Sequence, residues 1–209
     1  MINVEKMTPE QLKEIFSSDR QSVLSKLLKP VDKAPFVKDI LYVLAVGGVV
    51  SIAVLMPGFG MALSSIVKAR EKYEFNRRIQ GMKKRGYITI SKNDKGETIV
   101  EIASNGVKRA MKYKFEDMVL KKQKVWDGKW RVVIFDVAES KRGLRDRFRS
   151  KLAHLGFYGL NESVLIYPYS CFDEVEFIRQ YYFVGAEVTY LQVEKIEDDT
   201  KLRRLFDLS

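Results

Sequence analysis

Cysteine and histidine are nearly missing from this sequence, each occurring once, as Cys171 and His154. A single thiol excludes an internal disulfide, and no Cys/His set has the spacing of a structural zinc site. Such usage suits a reducing cytoplasm. Residues 1–30 are charged throughout, so they offer no apolar stretch of the secretory-signal kind. Proline is scarce too, at 5 of 209 residues, while 46% hydrophobic and 31% charged residues describe an ordered globular chain rather than a disordered one.

Acidic residues are outnumbered, 27 against 37 Lys and Arg, for a net charge of +10. The excess is local. Residues 68–124 carry 17 Lys and Arg against 7 Asp and Glu, whereas residues 1–67 carry 7 against 6 and residues 125–209 carry 13 against 14. A basic block between two neutral ones is the electrostatic footprint expected of nucleic-acid binding, or else a solvated lysine-rich surface.

Ile40 to Val67 contains no charged residue, and Ile40–Met56 is almost wholly apolar. About 20 apolar residues span a bilayer, so one reading is a membrane anchor through 40–67. The other is soluble. Gly47-Gly48 interrupts the run and Pro57-Gly58-Phe59-Gly60 ends it, giving a buried helix over Val37–Val46, a short extended piece, and a second helix after Pro57.

Ahead of this run, Thr8-Pro9-Glu10-Gln11 reads as a capping box with proline at the first helical position, and Leu12, Ile15 and Phe16 follow at helical spacing. Val23, Leu24, Leu27 and Leu28 predict another short helix, and Pro30 and Ala34-Pro35 a linker over 29–36. Beyond it, Phe75, Ile79 and Met82 place an apolar stripe on a helix over Glu71–Arg85, with Tyr73, Arg77, Gln80 and Lys84 on the opposite face and Gly86 as its stop. Tyr87–Ser91 and Thr98–Ile102 read as a hairpin around Lys92-Asn93-Asp94-Lys95-Gly96, and Ser104 as the cap of a basic helix holding Lys108, Arg109 and Lys112. Helices followed by a hairpin with a basic tip follow the order of a winged helix. That motif sets its last helix in the major groove and its hairpin over phosphates.

After a polar connector, Trp130–Val137 reads as a buried strand and Arg142–Leu155 as a basic amphipathic helix. Strands over Phe157–Leu160 and Ser163–Tyr167, a helix over Asp173–Tyr182 and a strand over Glu187–Val193 complete a βαββαβ order, the ferredoxin-like plan. A helix over Asp199–Phe206 closes the chain.

The strand Trp-Arg-Val-Val-Ile-Phe-Asp-Val at 130–137, the Lys-Arg-Gly-Leu-Arg-Asp-Arg-Phe-Arg helix, Leu-Gly-Phe-Tyr-Gly-Leu at 155–160 and Ser-Val-Leu-Ile-Tyr-Pro-Tyr at 163–169 together carry a resemblance. This block resembles the central domain of PaaX-type transcriptional repressors. That domain is itself similar to the small CRISPR-associated endonuclease, the second Cas protein. PaaX-type repressors carry a winged helix just before this domain, so the resemblance extends over roughly residues 37–196. They also have a further C-terminal domain, and this chain has an N-terminal arm and an unusually apolar start to the winged helix. The regulated pathway and any acyl-CoA effector are therefore not carried over.

The expected organisation is α+β: a helical arm and linker (1–36), a winged-helix DNA-binding domain and connector (37–124), and a ferredoxin-like dimerisation domain with a C-terminal helix (125–209). The expected protein is a cytoplasmic homodimer that binds double-stranded DNA as a transcriptional regulator and needs no cofactor. Arg77, Gln80 and Lys84 would face the groove, with Arg78, Lys83, Arg85, Lys92 and Lys95 on phosphates and Tyr73 also in the DNA-binding set. The nuclease resemblance implies an alternative, in which Asp136 matches a strand-end aspartate that pairs across a dimer axis to hold Mg²⁺ for cleavage. Without that role, Asp136 orders the strand-to-helix turn. Arg142, Arg145 and Arg149 form a basic stripe, either solvated or set against phosphates, while Cys171 and His154 are expected to have no chemical role.

Overall fold

The computed structural model describes residues 8–17, 36–51 and 65–208. The expected helix at Val23–Leu28, most of the 29–36 linker and the expected helix after Pro57 lie outside the described residues. The chain is a mixed α+β protein with two separate antiparallel sheets. It divides into two compact units, with the boundary between Glu116 and Asp117.

In the first unit, α1 (Pro9–Ser17) opens with the expected reciprocal cap. The Thr8 backbone N–H donates to Gln11 Oε1 at 2.9 Å, and the Gln11 N–H donates to Thr8 Oγ1 at 3.3 Å. Phe16, wholly buried, stacks edge-on against Tyr42 at 5.0 Å and so seats α1 on α2 (Phe36–Gly47). Gly48, at φ +71°, ends α2, and β1 (Val49–Ser51) follows. The apolar run is therefore broken within eight residues of Ile40. Among the described residues no helix is long and apolar enough to cross a membrane.

The next helix, α3, spans Ser65–Lys84 and starts six residues before the expected Glu71. The physical reason is the lack of any breaker: no proline or glycine falls between Gly60 and Gly81. Phe75, Ile79 and Met82 are buried as expected, and Phe36 meets Phe75 edge-on at 5.5 Å. Gly86 takes φ +67°, letting its N–H donate to the Lys83 carbonyl and that of Tyr87 to the Met82 carbonyl. Strands β2 (Ile88–Lys92) and β3 (Thr98–Ile102) form the hairpin, and β1 pairs with the far side of β3, giving the order β1-β3-β2. Helix α4 (Ser104–Glu116) begins with Ser104 already inside it. The Ala103 carbonyl accepts the Val107 N–H, which places the cap one residue earlier than expected.

The second unit holds β4 (Trp130–Phe135), α5 (Arg142–His154), β5 (Tyr158–Gly159), β6 (Val164–Tyr167), α6 (Phe172–Tyr182), β7 (Val188–Val193) and α7 (Thr200–Phe206). All neighbouring strands are antiparallel, in the order β5-β6-β4-β7. Alternation along β4 builds two cores. On one face Phe135 meets Phe148 of α5 edge-on at 5.6 Å. On the other, Trp130, Val132 and Ile166 pack with Leu202 of α7.

One charged residue sits within this strand. The Arg131 side chain, 4% exposed, is bound by both carboxylate oxygens of Asp127 and by the Lys129 and Pro168 carbonyls. This clamp fixes the connector's end to the sheet. Trp126 strengthens it by packing 4.9 Å from Trp130 and by donating its indole N–H to the Lys129 carbonyl.

Candidate nucleic-acid interface

Helix α3 has two unlike faces. Opposite the buried Phe75–Ile79–Met82 stripe, Tyr73, Arg77, Gln80 and Lys84 are all exposed, Tyr73 to 67%. At 100° per residue these four positions fall within an arc of about 60°, so they form one ridge. Asn76 and Lys83 are exposed alongside. Asn76 lies off the i, i+4, i+7 row of sequence candidates, but its spacing of three from Tyr73 carries the same signal. An asparagine, like Gln80, has the donor and acceptor pair that matches an adenine edge.

The cations of this region divide by their surroundings. Arg77 is held by Glu74 at 2.7 Å. Arg78 is half-buried, with its guanidinium 5.1 Å from the centre of the Phe36 ring, which ties it to the helix α2 side rather than to the ridge. Lys83, Lys84, Arg85, Lys92 and Lys95 are exposed. The last two belong to the hairpin turn, whose shape is set by Asn93. Its Oδ1 accepts the backbone N–H groups of Lys95 and Glu97, while its amide donates to Glu97 Oε2 at 2.8 Å. Gly96 takes φ +75° to close the turn. Ridge and turn thus belong to one compact unit, on consecutive elements joined at Gly86.

In the second unit, the arginines of the α5 stripe have partners close by. Arg142 and Arg145 both reach Glu139 and Asp146, and Arg149 donates to the carbonyls of Asn161 and Glu162. The basic stripe expected on α5 is therefore held by local acids and carbonyls. Lys141 pairs with Glu187, whose carboxyl is drawn below its ordinary range by that hydrogen bond.

Asp136 lies one residue past β4, exposed, with its backbone N–H donating to the Glu187 carbonyl at 2.9 Å. Its carboxylate accepts no hydrogen bond among the described residues, so the turn-ordering role does not appear in its side chain. Among the described residues no three His, Cys, Asp or Glu side chains are grouped to hold a metal. Cys171 is buried, and burial pushes its thiol up to about 12, the opposite of an activated nucleophile. His154 is exposed at the end of α5.

Four antiparallel strands in this order, with α5 and α6 in the two crossovers, define the second unit as a small α+β domain of one recurrent architecture. Its membership is specific: residues 123–204 match the family of the PaaX protein central Cas2-like domain. The resemblance drawn from the residues of β4, α5 and β6 therefore holds for this domain. No curated protein matches the chain.

Proposed function

We propose that this chain is a PaaX-like transcriptional regulator that binds duplex DNA through α3 and the β2–β3 hairpin and forms a homodimer through its second unit. The observation that carries the reading is the α3 ridge. Tyr73, Arg77, Gln80 and Lys84 stand exposed on one arc of a helix whose other face is buried, within the basic unit that precedes a PaaX central domain. The first unit reads as a winged helix. Helix, short strand, long helix and hairpin occur in that order, and β1 pairs beside β3 as the third strand of the wing sheet. The second unit reads as ferredoxin-like, its strand order being that of a split βαβ repeat. A dimer through it sets the spacing between two half-sites.

In this reading Arg77, Gln80 and Asn76 address base edges, and Lys83, Lys84, Arg85, Lys92 and Lys95 address phosphates. Selection of bound fragments from random duplexes is expected to return an inverted repeat. Arg77→Ala with Lys84→Ala is expected to reduce the log–log salt slope of binding by about 1 through Lys84 and to relax base preference through Arg77. An unchanged slope together with unchanged base preference removes both residues from the interface. Mg²⁺-dependent cleavage that Asp136→Ala abolishes would replace the regulator with a nuclease.

A further inference from the structure

We propose that the connector between α4 and β4 is a phosphate-tracking arm, in which Lys121, Lys122 and Lys124 contact the DNA backbone without reading sequence. The proposal rests on the DNA-binding reading of α3 and extends it to a segment outside both sheets.

Three observations converge on this coil. Residues 118–123 are neither helix nor strand, and all three lysines are exposed. No acidic residue lies between Asp117 and Asp127, and Asp127 is already taken by Arg131. The cations that follow are paired instead: Lys129 with Glu194, Lys141 with Glu187, Arg179 with Glu176 and Arg203 with Asp199. Three exposed lysines within four residues, with no acid between Asp117 and Asp127, make the connector a local concentration of positive charge.

The arm is also anchored. At its end Trp126 lies against Trp130 and under the Arg203 guanidinium at 4.7 Å, and the Arg131–Asp127 clamp follows directly. Anchoring at this end lowers the ordering entropy that a basic coil loses on binding. The other end leaves α4, part of the unit that carries the ridge, so docking of α3 raises the effective concentration of phosphate around the lysines. An anionic membrane is the less favoured partner. Polybasic lipid sites use 4–8 cations beside an inserted helix or acyl chain, and here there are three.

The test uses the full chain with Lys121→Gln, Lys122→Gln and Lys124→Gln together. Binding is measured by fluorescence anisotropy on a selected duplex and on a scrambled duplex of equal length, from 50 to 200 mM salt. Three phosphate contacts predict a slope shallower by about 2.7, which makes the loss of affinity over that salt range about 40-fold smaller than in the wild type. Both duplexes should weaken by the same factor, and Lys→Arg at all three positions should restore the slope. A wild-type slope in the Gln variant overturns the arm; if Arg77→Ala with Lys84→Ala still lowers the slope, the regulator reading survives that failure. Loss of binding to phosphatidylserine vesicles with an unaltered DNA slope also overturns it, in favour of a membrane contact.

Discussion

Replacing Asp127 by alanine probes the densest polar construction in the described structure. Arg131 is 4% exposed and Asp127 43% exposed. The guanidinium donates to the carboxylate at 2.6 and 2.5 Å and to the Lys129 and Pro168 carbonyls at 2.6 and 2.9 Å, leaving Nε unpartnered. Without the carboxylate a buried cation keeps the two carbonyls and the Tyr190 side chain. Breaking a wholly buried ion pair costs about 3–5 kcal/mol. The exposure of Asp127 and the surviving carbonyl bonds lower the expected cost to about 2 kcal/mol.

The assay is selective because both tryptophans of the chain, Trp126 and Trp130, lie in this unit. Tryptophan fluorescence during urea unfolding therefore follows this unit. Acid supplies a second readout. The Arg131 hydrogen bond holds the Asp127 carboxyl below its ordinary range. Its folded value lies under its unfolded one, so the contribution is complete above about pH 4. It is lost as the pH falls through the lowered folded value. The wild type and Asp127→Ala should thus differ at pH 7 and differ less at a pH below that lowered folded value. A penalty under about 0.5 kcal/mol at pH 7, or one of equal size at both pH values, would refute the reasoning.

Two glycines should respond oppositely to alanine. At Gly106 a Cβ would lie 2.0 Å from the Tyr87 carbonyl oxygen and 2.9 Å from Ile102 Cγ1, so Gly106→Ala should destabilise by about 1–3 kcal/mol in chemical unfolding followed by circular dichroism. Gly81, inside α3 with nothing within 4 Å of its would-be Cβ, should gain about 0.5–1 kcal/mol in Gly81→Ala by the same measurement. The buried Cys171 thiol, pushed up to about 12, should react with a disulfide reagent at pH 8 about a thousandfold more slowly in the native protein than in denaturant. Equal rates would place the thiol at the surface.

Much of this architecture follows from local pattern. Thr8 and Gln11 cap each other because both cap partners lie within one turn, where sequence spacing is spatial distance. Phe75, Ile79 and Met82 announce the buried side of α3 through helical period alone, and the opposite ridge follows by subtraction. The strands of the second unit and the resemblance carried by β4, α5 and β6 were likewise open to reading, because continuous apolar runs bounded by turns have few other uses.

What tertiary structure alone decided concerns partners distant in sequence. Phe16 reads as one apolar residue of a short helix, and only folding brings Tyr42 to its ring. Arg131 reads as an interruption in an apolar strand, and only the turn at Asp127 and the approach of Pro168 turn it into a buried clamp. Arg142, Arg145 and Arg149 read as a stripe either solvated or set against phosphates until the fold brought Glu139 and the 161–162 carbonyls beside them, whereas Lys121, Lys122 and Lys124 drew no such neighbours. Period and composition determine which side chains face water; which charges remain unanswered there depends on chain segments that meet only after folding.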